Sequence, residues 1–382
     1  MFSLSNLPPI ALAKVSAIVY RAPIAEPVQT SFGLMYDRPA LMVMLEDHDG
    51  ICAWGEVWCN FPTVGAEHRA RILDNIVAPI LLSKTWASPQ QVFTALTQAL
   101  HILSLQSGEP GPIAQVIAGI DIALWDLIGK KLQQPLWQVF NGTPTIQVYA
   151  SGINPSNPEK IAQQKWTEGY RAFKLKVGFG AKRDLANLAQ LRSLLGADIP
   201  IMLDANQAWS PQEALEHIQQ LAVHNPFWIE EPIAADSPLS TWQELATHSP
   251  IPLAAGENMR GLPEFNNAIE SNAFAILQPD MAKWGGFSAG VLLAQTIINR
   301  KKMFCPHWLG GGIGLVASMH LKASANTFGF VEVDANPNPL RELLAPQIPH
   351  MNQGKITLGS LPGLGITPDL AALKEFQVPH YF

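Results

Sequence analysis

Charge is scarce in this chain. Only 15% of its 382 residues are Asp, Glu, Lys or Arg, where about 25% is usual. Hydrophobic residues reach 48%, with 11 Trp and 16 Phe. That balance excludes a disordered polymer, which combines low hydrophobicity with high net charge. The 25 basic residues form no run and are outnumbered by 31 acidic ones, for a net charge of −6. Nucleic acid and an anionic membrane surface are therefore poor partners. Cys52, Cys59 and Cys305 are scattered and without CxxC spacing, which fits reduced thiols in a cytoplasmic protein better than a disulfide framework. The opening MFSLSNLPPI lacks a basic n-region, and Pro8-Pro9 interrupts it, so no leader is expected. No apolar run approaches the roughly 18–20 residues of a membrane span.

What is present has a rhythm. The first 60 residues read as antiparallel β structure, with runs at Lys14–Tyr20, Ala40–Glu46 and Ile51–Val57. The last two flank Asp47-His48-Asp49-Gly50, a hairpin loop. Glu67 to about Leu105 reads as mostly helical. Pro110-Gly111-Pro112 opens a helix whose Ile113, Ile117, Ile120, Leu124 and Leu127 share one face. Beyond Gly142-Thr143-Pro144, eight short apolar runs recur, each followed by loop residues and a helical stretch: Ile146–Ala150, Ala172–Val177, Ile201–Leu203, Phe227–Ile229, Leu253–Ala255, Phe274–Leu277, Met303–Cys305 and Phe330–Val333. Runs buried on both faces and alternating with helices imply a parallel sheet. Eight such units predict an α/β fold, a closed (β/α)₈ TIM-type barrel whose active site lies at the C-terminal strand ends. The expected division is an α+β capping domain over residues 1–140, completed by about 357–382, and a barrel over 145–356. A doubly wound sheet fits less well, since no GxGxxG follows an early strand.

A polar or ionisable residue sits near the end of each of the last seven runs: Lys176, Asp204, Glu230, Glu257, Asp280, His307 and Glu332. Asp204, Glu230 and Glu257 come from three successive strands, which places three carboxylates side by side. They cannot all stay ionised without a cation, and oxygen-only ligands with room for water and substrate favour Mg²⁺. Any one of them alone would more often be a capping or salt-bridged carboxylate; the three together point to a metal. Lys174 and Lys176 lie two apart on one strand and so share a face. Repulsion between them is expected to lower one pKa and free a neutral amine as base. Asp280, one unit before His307, is expected to hold Nδ1–H and leave Nε2 as a second base. Lysine and histidine on opposite sides suit removal of a proton next to a carboxylate. Glu332, if protonated, would support the developing oxyanion.

These residues resemble the enolase superfamily, specifically its mandelate racemase subgroup. The likeness rests on AGIDIALWDLIGK (Ala118–Lys130), FKLKVG (Phe173–Gly178), LDAN (Leu203–Asn206), WIEEP (Trp228–Pro232), GEN (Gly256–Asn258), QPDMAKWGG (Gln278–Gly286), CPH (Cys305–His307) and PGLGI (Pro362–Ile366). It implies Asp204, Glu230 and Glu257 as Mg²⁺ ligands, Lys176 as one base, Lys174 as a holder of the substrate carboxylate, and Asp280–His307 as the dyad on the other face. Asn206 would lie near the metal or the carboxylate, and Glu231 would be a structural ion-pair partner. The cycloisomerase and dipeptide-epimerase subgroup carries a lysine base where this chain has Asp280, and Lys283 falls three residues late. An amidohydrolase would want HxH on the first barrel strand, and Ile146–Ser151 has no histidine.

The resemblance implies abstraction of an α-proton from a small carboxylate through an ene-diolate. Dehydration of a sugar acid or related 2-hydroxy acid is favoured; racemisation or epimerisation remains open, because the same residues serve both. A metal-stabilised binding barrel without turnover is a remote alternative. A symmetric homo-oligomer is also implied. Specificity is expected from two cap loops, about Pro23–Tyr36 and Glu56–Gly65. The second offers Trp58, Asn60 and Phe61 as substrate contacts, and the first Gln29, Thr30, Ser31 and Tyr36; both look apolar for a six-carbon diacid sugar. Leu309–Gly314, rich in glycine, reads as a turn beside the substrate or, less favoured, as an anion site at a helix entry.

Overall fold

The computed structural model describes residues 7–30 and 33–379, with the backbone alone for Glu26, Gln29 and Thr30. Ser31 lies outside the described residues. The cap begins with β1 (Leu12–Thr30), β2 (Gly33–Asp47) and β3 (Cys52–Val57), an antiparallel meander to which the distant β13 (Gln377–Val378) adds beside β1. Most of the first specificity segment is not a loop: β1 and β2 run on as a paired ribbon to Thr30 and Gly33, with an irregularity between Pro23 and Val28.

The barrel strands are β4 (Thr145–Ile153), β5 (Phe173–Lys176), β6 (Ile201–Asp204), β7 (Ile229–Glu230), β8 (Leu253–Ala255), β9 (Ile276–Leu277), β10 (Met303–Phe304) and β11 (Phe330–Asp334). Each overlaps one of the eight predicted runs, β7 at Ile229 alone. They pair in parallel from β4 through β10, and β11 pairs back onto β4; β12 (Lys355–Thr357) adds antiparallel to β4. The seam between β10 and β11 is bridged by side chains. Lys322 Nζ donates to Phe304 O and Phe328 O, and Phe330 N donates to Cys305 Sγ. The period of two divides each strand. Phe173, Leu175, Ile201 and Leu203 pack outward in the large core, while Tyr149, Met202, Trp228, Ala254, Ile276 and Phe330 fill the barrel interior below the site.

The helix Pro110–Lys131 is long and apolar enough, by length and composition, to cross a membrane, but 89% of its most apolar stretch is buried within the fold. The expectation that nothing in the chain reaches that threshold is thus corrected. Its predicted single apolar stripe is really apolar nearly all round, because the helix lies between β3 of the cap and the barrel helix Gly286–Asn299.

A buried histidine gives a first test of the packing. His320 Nδ1 accepts from Trp137 N at 2.9 Å and Nε2 faces Leu364 O at 3.2 Å, so the ring is neutral with its proton on Nε2. Burial lowers its pKa to about 4. Its contribution to stability is therefore present above the unfolded value of about 6.5 and lost as pH falls from there toward 4. Urea unfolding at pH 7.5 and pH 5 is expected to show a pH-dependent loss in the wild type that is smaller in His320→Gln.

Candidate active site

Strand register sets the tier. Lys176 is laddered to Asp204, and Asp204 to Glu230, so these three project at one height on the barrel rim. Glu257 does not join them. It lies two residues beyond the end of β8, after Gly256, whose φ of +141° and closeness to Gln278 leave no room for a Cβ. Asp280 and His307 likewise each follow their strand by three residues. Glu257, Asp280 and His307 therefore project from the loops beyond β8, β9 and β10 rather than from the strand tier of Lys176.

The charges interlock. Lys174, fully buried, donates from Nζ to Glu230 Oε2 at 2.7 Å and stands 2.9 Å from Glu332 Oε1 and 3.6 Å from Asp204 Oδ2. Lys176 Nζ donates to Asp204 Oδ2 at 2.5 Å and Asn206 Oδ1 at 2.7 Å. His307 Nδ1 meets Asp280 Oδ2 at 2.8 Å, and its Nε2 lies 3.2 Å from Glu257 Oε2. Asp280 Oδ1 accepts from the backbone of Ala282 and Lys283. That turn swings Lys283 back to the rim, where Nζ donates to Glu257 Oε2 at 2.6 Å and lies 4.6 Å from the Trp58 ring.

The electrostatics differ from the expected pattern in two places. Burial and the repulsion of Lys174 do push Lys176 down, but Asp204 outweighs both and holds its pKa above the ordinary value. Burial pushes Glu332 up, yet Lys174, His307 and the Ser151 hydroxyl hold it below the usual carboxylate range, ionised rather than protonated. Burial similarly opposes protonation of His307, and Glu257, Glu332 and Asp280 raise it to about 9. Glu230 goes the other way: burial, with Asp204, Glu332 and Glu257 nearby, lifts it to about 7 despite Lys174.

Among the described residues no three His, Cys, Asp or Glu side chains converge closely enough, as placed, to hold a metal. Ammonium groups hold the candidate ligands: Lys174 and Lys176 for Asp204 and Glu230, Lys283 for Glu257. The donor set nevertheless fits a hard divalent ion. It consists of three carboxylates from successive strands, and Glu230 Oε1 is buried with no hydrogen-bond partner.

Lys176, Asp204, Asn206, Glu257, His307, Glu332, Trp58 and Phe61 line one cavity of about 270 Å³. Lys174, Glu230 and Asp280 support it from beneath its lining, so Lys174 is placed to organise carboxylates rather than to touch a substrate. Asn60 is also no cavity contact: it is 4% exposed and donates from Nδ2 to Leu309 O at 2.7 Å. Asn206 stands beside a candidate ligand: its backbone N donates to Asp204 Oδ1, and its Oδ1 accepts from Lys176 Nζ. Glu231 forms no salt bridge among the described residues: both its oxygens accept from Asn258 Nδ2, and Lys283 acts on it at longer range.

Sequence reasoning passed over the amides Asn154, Gln207, Asn258 and Asn336 and set Lys283 aside as three residues late, yet all five line the cavity. For Lys283 a signal existed: an Asp followed by a turn returns the residue three positions later to the same rim. The amides sit in loops after β4, β6, β8 and β11, where local pattern is silent about direction.

Residues 159–372 match the enolase C-terminal domain-like family, and residues 14–140 match the mandelate racemase/muconate lactonizing enzyme N-terminal domain. The chain belongs to the enolase superfamily. Within it, the chain falls in the mandelate racemase subgroup and is an enzyme of that kind. A mandelate racemase/muconate lactonizing enzyme from Bordetella bronchiseptica RB50 shares 48% identity and superposes with a TM-score of 0.91, covering 96% of this chain and 99% of that one. An enolase from Bradyrhizobium, complexed with magnesium and mandelic acid, is 26% identical with a TM-score of 0.85 over 97% of this chain and 99% of its own. Among curated relatives, the D-galactarolactone cycloisomerase of Agrobacterium fabrum is 28% identical over 91% of this chain and 94% of its own length. Other curated relatives are sugar-acid dehydratases and a racemase.

Proposed function

We propose that the protein removes the α-proton of a small hydroxylated carboxylate with the help of Mg²⁺, and that the reaction completed is dehydration of a sugar acid or related 2-hydroxy acid. The observation that carries this reading is the placing of Lys176 and His307 in one cavity, approached from different strands, with Asp204 and Glu257 in its lining and Glu230 beneath it. Asp204, Glu230 and Glu257 would hold the ion. When bound, it supplies positive charge to the substrate carboxylate and so makes the neighbouring C–H more acidic.

The chain's own residues carry the rest. Lys176 Nζ takes the α-proton once Asp204 no longer serves as its counterion. The electron pair left on the α-carbon forms the substrate ene-diolate, then expels the β-hydroxyl. His307, oriented through Nδ1 by Asp280, gives that hydroxyl a proton from Nε2 and water departs. The enol left behind tautomerises to a 2-keto-3-deoxy acid. Lys174 fixes Glu230 and Glu332 so that the base of the cavity does not reorganise during the step.

The lining speaks for hydroxyl groups. Asn154, Gln207, Asn258 and Asn336 offer neutral donors and acceptors from the barrel side, while Val28, Trp58, Phe61 and Leu309 form an apolar wall. A polyhydroxy chain needs such partners because its hydroxyls lose water on binding. The alternative, racemisation or epimerisation, is favoured by the same two opposed bases: with no β-hydroxyl to expel, the second base returns the proton to the other face.

¹H NMR with Mg²⁺ in D₂O, against a panel of 2-hydroxy and sugar acids, decides between them. A 2-keto-3-deoxy product is the expected result. Loss of the α-proton signal with an intact skeleton would mean racemisation instead, and no exchange with any hydroxylated carboxylate would sink the reading. Trp58→Ala, which removes much of the apolar wall, is expected to lower kcat/KM by about tenfold to a hundredfold, chiefly through KM. A symmetric homo-oligomer is proposed alongside, on family likeness.

A further inference from the structure

Glu56, near the end of β3, is 1% exposed and has no part in the reaction described above. The strand's alternation explains where it points. Gly55 and Val57 lie against Gly119 and Ala123 of the helix Pro110–Lys131, so Glu56 faces the other way, into the barrel. There Oε1 accepts from Gly311 N at 2.5 Å and Oε2 from Gly314 N at 2.9 Å, with Ile313 N also contributing. These are the first amides of the helix Gly312–Ser324, which no side chain of its own caps. A carboxylate from the cap thus stands where an N-cap side chain would, satisfying donors that the helix leaves open.

The glycines are shaped to this contact. A Cβ on Gly311 would lie 2.6 Å from Glu56 Oε1 and 2.6 Å from Leu344 Cδ1. The glycine-rich run that reads in sequence as a turn or an anion site is therefore the seat of a buried carboxyl group from the cap. Trp308 closes the run by donating from Nε1 to Gly311 O. The flanking residues carry the consequence. Upstream of Gly311 are His307, Leu309 and Gly310; downstream of Glu56 are Trp58 and Phe61, and Asn60 makes the second tie to Leu309 O. On the cap side the loop is fastened by Arg69, which donates to Gly65 O and Phe61 O.

We propose that Glu56 is a positioning residue that locks the cap loop 57–65 to the His307-bearing segment 305–311, so that the cavity's apolar wall and its Asp280–His307 dyad move as one body. The lock holds the two halves of the site at a fixed spacing although they belong to different parts of the fold. It acts through the backbone amides of the glycine run, not through the substrate.

Hydrogen exchange of the full chain tests this without knowledge of the substrate. Glu56→Gln keeps the shape but has a single acceptor oxygen and turns an NH₂ toward an N–H. Exchange is expected to rise about tenfold in peptides covering 57–65 and 305–314, as loss of one buried hydrogen bond would give. Peptides covering Lys176 to Asn206, and the Mg²⁺ affinity read by calorimetry, should not change. Gly311→Ala, which displaces the carboxylate from the other side, should reproduce the same localised rise, and so guards against a misfolded first variant. Equal exchange in wild type and both variants would overturn the proposal, as would a rise spread evenly over the whole chain, because that describes a merely structural role. A second arm rests on the proposed reaction: with an active substrate, Glu56→Gln should slow proton transfer at the His307 face more than at the Lys176 face. Wild-type inactivity on every carboxylate would sink the reaction while leaving the exchange result standing.

Discussion

Lys176→Ala and His307→Asn are each expected to lower turnover by about 10²–10⁴-fold, the usual cost of losing a positioned acid or base. The fold and Mg²⁺ binding should survive, since neither side chain is among the three proposed ligands. The two variants should also differ from each other. Lys176→Ala should stop the initial exchange of the α-proton with solvent. His307→Asn should still permit that exchange on the Lys176 face while blocking loss of the hydroxyl, because Asp280 then has no imidazole to orient. Stopped-flow or NMR exchange in D₂O separates the outcomes. Undiminished exchange in Lys176→Ala would remove its role as base, and undiminished loss of the hydroxyl in His307→Asn would remove the role of His307 as acid.

Metal dependence carries the second large effect. Chelation should abolish turnover and Mg²⁺ should restore it. Independently of activity, Mg²⁺ at a hundred times its dissociation constant should stabilise the wild type by about 2.7 kcal/mol, readable as a rise in Tm. Glu230→Gln should erase that rise. It should also destabilise the metal-free protein, though by less than the about 3–5 kcal/mol of an unpaired buried charge, because Lys174 loses the Glu230 carboxylate at 2.7 Å but keeps Glu332 at 2.9 Å. A Tm indifferent to Mg²⁺ in the wild type would defeat the ligand assignment of Asp204, Glu230 and Glu257. The ammonium groups around these carboxylates give the expectation its physical basis. Without a divalent ion, Lys174, Lys176 and Lys283 balance the negative charge, and adding the ion should free at least one of them.

Particular residues show where sequence reading succeeds. The eight barrel strands were legible because each is buried on two faces and so appears as a short, mostly apolar run between loops. Lys176, Asp204 and Glu230 were legible as neighbours because equal spacing along βα units becomes equal height in a parallel ladder. Glu257 shares the spacing but not the height, since it lies past the end of its strand; interval counting cannot tell a strand's last residue from the second residue of its loop. Asn60 misled for a similar reason. Loop polarity advertises a binding group, while only the packed barrel shows that its amide is used on Leu309. The charge states failed differently. Repulsion between Lys174 and Lys176 is real, but its effect depends on Asp204 at 2.5 Å, a distance that no local pattern encodes.

The sequence by itself therefore determined the order of the elements, the parallel barrel under its cap, the superfamily, and the ionisable residues carried at the strand ends. These follow from periodicity, turn chemistry and motif order, which are properties of neighbouring residues. The tertiary structure alone decided that Lys283 joins Glu257, that Lys174 lies beneath the cavity, that amides from four loops line it, and that Glu56 reaches across 255 positions to Gly311. Those outcomes depend on which buried charge finds which partner once the chain has closed on itself, and burial makes each such pairing compulsory without making it local.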